Sequence, residues 1–537
     1  MLGTMMNYPL TLTHILERAG RLFPEQEIVS RLPDHSLHRC TYAEVHRRAC
    51  RLAEALQKAG LRPGDRVATL MWNHYAHVEA YLGIPVSGGV MHTLNLRLAP
   101  REIAYIANHG GGRFLIVDDS LLPLYEQIRE STRFERVFVV TLSENAAAKN
   151  TENYEDFLDT ASGDFQYPQL DENDAASLCY TSGTTGIPKG VAYTHRSVFL
   201  HTLLLTMADN FAVRHSDVLA PVVSMFHVNG WGFPYAATMV GCKLVLPGPY
   251  LDAESLLELF EKEQTTAAAG VPTIWLNVVD SLEQHPGRWK LPRMRIIMGG
   301  AAPPLALIRK LDQYGLNVQQ GWGLTESSPQ ATTNQLKAHM KDWPTERKHE
   351  VQAKAGIPVP LVDLRVVNED GEVSPDGKTM GEVQLRGPWV AASYYNLPEE
   401  KDKWTKDGWF RSGDVGTIDP EGYLAIADRT KDLIKSGGEW ISSVDLENAL
   451  MEHPDVREAA VIAVPHPKWQ ERPVAVVVLR EGAKTSSQDL REFLEGSFAK
   501  WQLPDACVFV EQLPHTSTGK LLKAELRRRY RDWQWES

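Results

Sequence analysis

Apolar residues recur at Val45, Ala49, Leu52, Ala53 and Leu56, one stripe along a helix whose remaining positions are polar. The stripe is preceded by Thr41–Glu44 (TYAE), a hydroxyl and a carboxylate three residues apart that can each satisfy a free backbone N–H of the first turn, and it stops at Gly60. Asp65–Trp72 (DRVATLMW) then reads as a buried strand. Next come a helix with Pro100 near its first turn (APREIAYIANHG), a strand (RFLIVDD), a helix (LLPLYEQIRE) and a strand (ERVFVV). The alternation continues through the strands LAPVVS and KLVLPG, the helix DAESLLELFEKEQ and the strand RIIMGGAAP. Strands interleaved with helices predict parallel sheets covered on both faces, with ligands held in loops beyond the strand C-termini.

The period changes near Val362, where DLRVVNEDGEVSPDGKTMGEVQLRG alternates apolar and polar residues around Asp-Gly turns and predicts a small antiparallel sheet. Beyond Asp428 the pattern is a short α+β unit: a helix (SSVDLENALMEHP), strands (EAAVIAVP, PVAVVVLR), a helix (DLREFLEGSFAK), a strand (CVFVEQLP) and a basic terminal helix (KLLKAELRRRYRDW). The expected fold class is therefore α/β, with a large N-terminal domain of doubly wound sheets, a small β-barrel-like subdomain and a small α+β C-terminal domain. The charged stretch DRTKDL is suited to a hinge, which sets domains at 1–428 and 434–537 joined by 429–433.

Composition narrows the function classes. At 537 residues the chain needs several subdomains, and 43% hydrophobic with 23% charged residues describes an ordinary globular protein. A net charge of −12 argues against a general nucleic-acid binder. Cys40, Cys50, Cys179, Cys242 and Cys507 show no CxxC spacing, so neither a disulfide scaffold nor a zinc site is expected, and a reducing cytoplasm is the expected setting. No basic-then-apolar leader and no run of about 18 apolar residues is present, so no transmembrane segment is expected.

Tyr180–Gly190 reads YTSGTTGIPKG, a loop of bare backbone and hydroxyls ending in a lysine, which suits anionic oxygens. It is not a Walker loop, because Ile187 and Pro188 separate Gly186 from Lys189 and Gly190 follows the lysine. The string resembles the phosphate-binding signature of the adenylate-forming (AMP-binding) superfamily, which holds acyl-CoA synthetases, peptide-synthetase adenylation domains and firefly luciferase. Further segments follow in the family's order: FHVNGWGFPYAA, GGAAPP, GWGLTES, RSGDVG, DRTKDLIKSGGEWIS and HTSTGKLLKAE. The resemblance covers nearly the whole chain and is nearest to bacterial medium- and long-chain fatty acid–CoA ligases, including methylmercaptopropionate–CoA ligase relatives.

That resemblance implies ATP, Mg²⁺ and coenzyme A as cofactors or co-substrates. Thr181, Ser182, Gly183, Thr184, Thr185, Gly186 and Lys189 would meet the ATP phosphates, with Thr184 and Glu326 at the metal. Gly300, Ala301, Ala302, Gln320, Gly321, Trp322, Gly323 and Thr325 would surround the nucleotide; Trp322 stands where the family most often has tyrosine. Asp414 and Arg429 would reach the ribose, and Lys435 and Trp440 would approach the nucleotide. His227, Val228 and Trp231 would wall the acid pocket, where no charged residue is offered, while Gly437, Gly438 and Glu439 would line the thiol's path. Lys431 and Asp432 would form the pivot, and Lys520 would be the catalytic lysine. The implied reaction joins a medium- or long-chain fatty acid to CoA through an acyl-adenylate. A short thioether acid, luciferase-type oxidation and carrier-protein loading are the alternatives, and a homodimer is implied.

Overall fold

The computed structural model describes residues 1, 3–143, 149–181, 187–436, 439–516 and 519–535, and of Glu439 the backbone alone. The Thr41 hydroxyl accepts from the Glu44 N–H while Glu44 returns a bond to the Thr41 N–H, which starts the helix Tyr42–Lys58 where its stripe begins. Val45, Ala49, Leu52, Ala53 and Leu56 are all buried.

Two large sheets carry most of the chain. In one, Glu152–Asn153, Arg136–Val140, Gly112–Asp118, Arg66–Leu70, Val90–Thr93 and Ala175–Tyr180 lie parallel in that order, and Gly190–Thr194 closes the edge antiparallel. In the other, Glu27–Arg31, Lys243–Leu246, Val218–Pro221, Ala267–Gly270, Met294–Met298 and Leu316–Gly323 are parallel neighbours, with antiparallel strands at both edges. Helices Thr13–Leu22, Tyr42–Lys58, Tyr75–Val86 and Phe233–Val240 share one core with strands of both sheets, including Val67, Ile116, Leu219 and Leu244. Every residue from Ala76 to Val86 is buried, so this helix is apolar nearly all round and carries no stripe. Doubly wound sheets are thus the observed architecture.

The Asp-Gly region forms the expected antiparallel sheet, five strands in the order Gly371–Glu372, Asp363–Asn368, Gly381–Arg386, Phe410–Ile418 and Leu424–Arg429. Past it, Val456–His466 and Gln470–Leu479 pair along their length, flanked by Ile434–Ser436, Glu439–Ile441 and Ala506–Phe509, with helices Ser443–Met451 and Ser487–Glu495 packed on one face. The terminal helix is shorter than its sequence pattern: it spans Lys523–Arg529. Lys520–Leu522 are drawn instead into a turn, in which Thr516 N–H donates to the Lys520 carbonyl and Leu522 N–H to that of Pro514.

The DRTKDL segment is charged but not freely solvated. The Asp428 carboxylate accepts from the Ser443 hydroxyl, and Asp432 pairs with Arg527. Among the described residues no helix is long and apolar enough to cross a membrane.

Candidate active site

Three strands end at one place and deliver the candidate residues there. Ala175–Tyr180 runs into Thr181, whose N–H donates to the Lys189 carbonyl (2.9 Å) while its hydroxyl accepts from the Lys189 N–H (3.1 Å), closing the base of the glycine-rich loop. Ser182, Gly183, Thr184, Thr185 and Gly186 lie outside the described residues. Leu316–Gly323 leads through Leu324 into the turn Thr325–Ser327, and the Tyr193 hydroxyl fixes the Thr325 carbonyl at 2.6 Å. Met294–Met298 leads into Gly299–Gly300, where glycine is required twice over. A Cβ built at Gly299 would lie 2.9 Å from the Gly321 carbonyl oxygen and 3.2 Å from the Trp231 indole, and Gly300 has φ +84°, with Lys520 Cε 3.3 Å from where its Cβ would stand.

These elements enclose a cavity of about 560 Å³. Thr181, Lys189, His227, Val228, Trp231 and Glu326 line it, together with Lys520 from the C-terminal unit. The cavity is electropositive: Lys189, Lys403, Arg429, Lys431 and Lys520 face Glu326, Glu399 and Glu400. A second cavity of about 420 Å³ adjoins it, bordered by Ala301, Ala302, Gln320 and Asp414. Gly300, Gly321, Trp322, Gly323, Arg429, Lys431 and Lys520 border both and mark the junction.

Lys520 reaches the junction because the C-terminal unit is docked on the large one. Thr273 donates to the Gly519 carbonyl (3.2 Å), and Arg457 bonds Asn277 (3.0 Å) and Asp280 (3.2 Å). Burial, with Arg429 close by, pulls the Lys520 ammonium down to about 8, against the attraction of Asp414 and Glu326. Asp414 is buried on strand Phe410–Ile418; burial raises its pKa, while Arg429 and the Trp322 indole N–H, which donates at 2.9 Å, favour its charged form.

One wall of the first cavity is apolar. Val228, Asn229, Gly230, Trp231 and Gly232 all have positive φ, a left-handed turn that points the Trp231 ring at Gly299. Asn229 anchors this turn by donating to Ser177 (2.8 Å) and accepting from the Cys179 thiol (3.2 Å), both on the strand that leads to the glycine-rich loop. Leu205, Phe211 and Met298 extend the apolar wall. His227 sits beside them with its pKa lowered to about 3, by burial and then by the Lys520 charge, so its ring is neutral at neutral pH.

Some candidates lie elsewhere in this arrangement. Lys435 and Trp440 pair on an outer hairpin, ammonium 5.4 Å from the ring centroid, and border neither cavity; Trp440 is exposed. Gly437 and Gly438 are outside the described residues, as is the Glu439 side chain. Asp432 borders the second cavity only.

The segment 391–400, AASYYNLPEE, contains none of the motifs named above, yet it straps the site together. The Ala391 N–H donates to the Glu326 carbonyl (2.7 Å), the Tyr394 hydroxyl to the Glu326 carboxylate (2.5 Å), and the Tyr395 N–H to the Gly190 carbonyl (2.8 Å). Glu400 pairs with Lys189 at 2.5 Å. Its usable signal was composition alone, adjacent tyrosines followed by paired glutamates.

No group of three or more His, Cys, Asp or Glu side chains that could hold a metal occurs among the described residues. Glu326, which lines the first cavity with Glu399 and Glu400, offers the kind of oxygen donor that suits Mg²⁺, an ion that keeps substrate oxygens and waters as its other ligands.

Comparison with known proteins gives a consistent picture. Residues 16–395 match the model of the AMP-binding enzyme family, and residues 445–520 match that of the AMP-binding enzyme C-terminal domain. A long-chain-fatty-acid–CoA ligase of Thermus thermophilus is 51% identical, over 99% of this chain and 97% of its own. A 3-methylmercaptopropionyl-CoA ligase of Ruegeria pomeroyi is 44% identical over 99% of both chains. The crystal structure of an anthranilate CoA ligase with anthranoyl-AMP superposes with a TM-score of 0.86 at 26% identity, covering 98% of each chain.

Proposed function

The chain belongs to the AMP-binding enzyme family, and from that premise we propose that it is an ATP-dependent acyl-CoA synthetase acting on medium- and long-chain fatty acids. The observation that carries the reading is Lys520: an ammonium from the C-terminal unit stands at the junction of a cationic cavity with an apolar wall and a second cavity edged by Ala301 and Asp414. The nucleoside occupies the second cavity, the β- and γ-phosphates lie toward Lys189, and the α-phosphate falls beside Lys520.

A carboxylate is too poor an electrophile to accept a thiol directly. In the first half-reaction its oxygen attacks the α-phosphorus, and the bond to pyrophosphate breaks in line. Positioning and charge neutralisation supply the catalysis. Lys520 offsets the charge growing between carboxylate and phosphate, Lys189 holds the phosphate tail, and Trp322 and Arg429 orient Asp414 for the ribose. Glu326, with Thr184, would hold Mg²⁺, which when bound neutralises phosphate charge. His227, neutral, keeps the acid pocket free of a competing cation.

In the second half-reaction the CoA thiol attacks the acyl carbon, and AMP leaves. Lys520 is not needed there, and rotation of residues 434–537 about 429–433 withdraws it. The bonds from Asp428 to Ser443 and from Thr273 to Gly519 belong to the adenylating orientation and break when the unit turns. Unpaired cysteines throughout suit a reducing compartment such as the cytoplasm.

An apolar wall without charge favours an alkyl chain, and each added methylene buried is worth about 0.8 kcal/mol, roughly fourfold in kcat/KM. The test is a panel from butyrate to palmitate, with 3-(methylthio)propionate, supplied with ATP and CoA while AMP and pyrophosphate are followed. Specificity rising with chain length supports the reading. A maximum at 3-(methylthio)propionate transfers it to short thioether acids, and turnover of none of these acids refutes it.

A further inference from the structure

The strap at 391–400 contains a charge that the two half-reactions do not use. Glu400 holds the Lys189 ammonium at 2.5 Å, and both side chains are partly exposed to the cavity, Lys189 at 23% and Glu400 at 31%. The same ammonium lies 5.1 Å from the centroid of the Tyr394 ring, whose hydroxyl is committed to Glu326. Lys189 is thus fixed from two sides by one short segment. A carboxylate on this lysine presents the same chemistry as a phosphate oxygen: an anionic acceptor at charge-assisted hydrogen-bond distance.

We propose that Glu400 is a specificity-determining residue for the nucleotide, standing in for a phosphate on Lys189 and yielding only to a polyphosphate tail. The inference rests on the ATP-dependent reading above. Its physical basis is competition. Lys189 borders the first cavity but not the second, whereas Asp414, Ala301 and Ala302 border only the second. A nucleoside monophosphate seated against Asp414 places its one phosphate at the Lys520 junction and leaves the Lys189–Glu400 pair closed. A triphosphate extends to Lys189 and must open that pair. Glu400 therefore taxes ATP and not AMP, and it preserves the lysine's orientation between turnovers by supplying an anion when the phosphates have gone. The tax is small, because a partly exposed ion pair is worth about 0.2–1 kcal/mol.

The experiment measures Kd for ATP and for AMP by titration calorimetry, without acid or CoA, on the wild-type full chain, Glu400→Gln, Lys189→Ala and the double variant, with Glu399→Gln as a neighbour that lines the same cavity. Relief of the competition tightens ATP binding by roughly 1.4- to fivefold in Glu400→Gln, the range such a pair allows, and leaves AMP binding unchanged. In the Lys189→Ala background the same substitution has no effect on ATP, and Glu399→Gln alone gives a smaller change than Glu400→Gln. The proposal is overturned if Glu400→Gln weakens ATP binding, changes ATP and AMP equally, is matched by Glu399→Gln, or acts undiminished without Lys189. Failure of the wild-type chain to bind ATP at all overturns the functional reading itself.

Discussion

The indole N–H of Trp322 donates to the Asp414 carboxylate at 2.9 Å, joining the end of a strand in the large parallel sheet to a strand of the antiparallel one. Asp414 is buried, so its ionised form depends on the partners it keeps there, Arg429 and this N–H. Trp322→Phe keeps a flat ring for the nucleotide and removes only the donor. A hydrogen bond to a charged group is worth about 1.5–3 kcal/mol, so kcat/KM for ATP falls at least roughly tenfold while KM for the acid is unchanged. Initial rates with each substrate varied in turn check this.

Tyr394→Phe isolates the strap's hold on Glu326. The ring keeps its edge contact with Trp404 and its place under Lys189, so the melting temperature stays near that of the wild type. The Glu326 carboxylate loses the donor that fixes it, and KM for ATP rises roughly tenfold, the lower end of a charge-assisted bond's worth. Thermal melts and ATP titrations on one preparation separate the two effects.

Lys520 gives the reaction an alkaline limb. Its pKa is lowered from an ordinary lysine value to about 8, so the ammonium is present below that pH and lost as pH rises through it. The proposed adenylation uses the charged form; kcat/KM for ATP in the free enzyme is therefore expected to decline above about pH 8 with a single ionisation. Lys520→Arg carries a cation that does not titrate in this range, and whatever activity it retains is flat across it. A pyrophosphate-release profile of both proteins is the measurement.

Much of the fold and part of the site were legible in the sequence because their causes are local. The TYAE box, the apolar stripe from Val45 to Leu56 and the Asp-Gly turns each act within a few residues, and each forms where the pattern puts it. Gly300 and Glu326 follow neighbouring parallel strands of one sheet, which end on the same side, and Thr181 joins them at the cavity from the other large sheet. Pairings between distant segments were not legible. Nothing in AASYYNLPEE announces that Tyr394 will meet Glu326 or that Glu400 will meet Lys189, since both contacts exist only after the antiparallel sheet docks. DRTKDL reads as a charged hinge, and nothing in the string announces that Asp428 will be held by Ser443 and Asp432 by Arg527. The basic run KLLKAELRRRYRDW reads as one helix, but the Thr516–Lys520 turn takes its first residues and leaves Lys523–Arg529.

The central claim is that Lys520 serves the making of the acyl-adenylate and not its consumption, and Lys520→Ala assayed on the separate half-reactions tests it most directly. Pyrophosphate release from acid and ATP should fall about 10²- to 10³-fold, the cost of one well-placed charge-stabilising donor, while synthetic acyl-AMP and CoA still yield thioester at close to the wild-type rate. Equal loss in both half-reactions, or none in the first, would contradict the account.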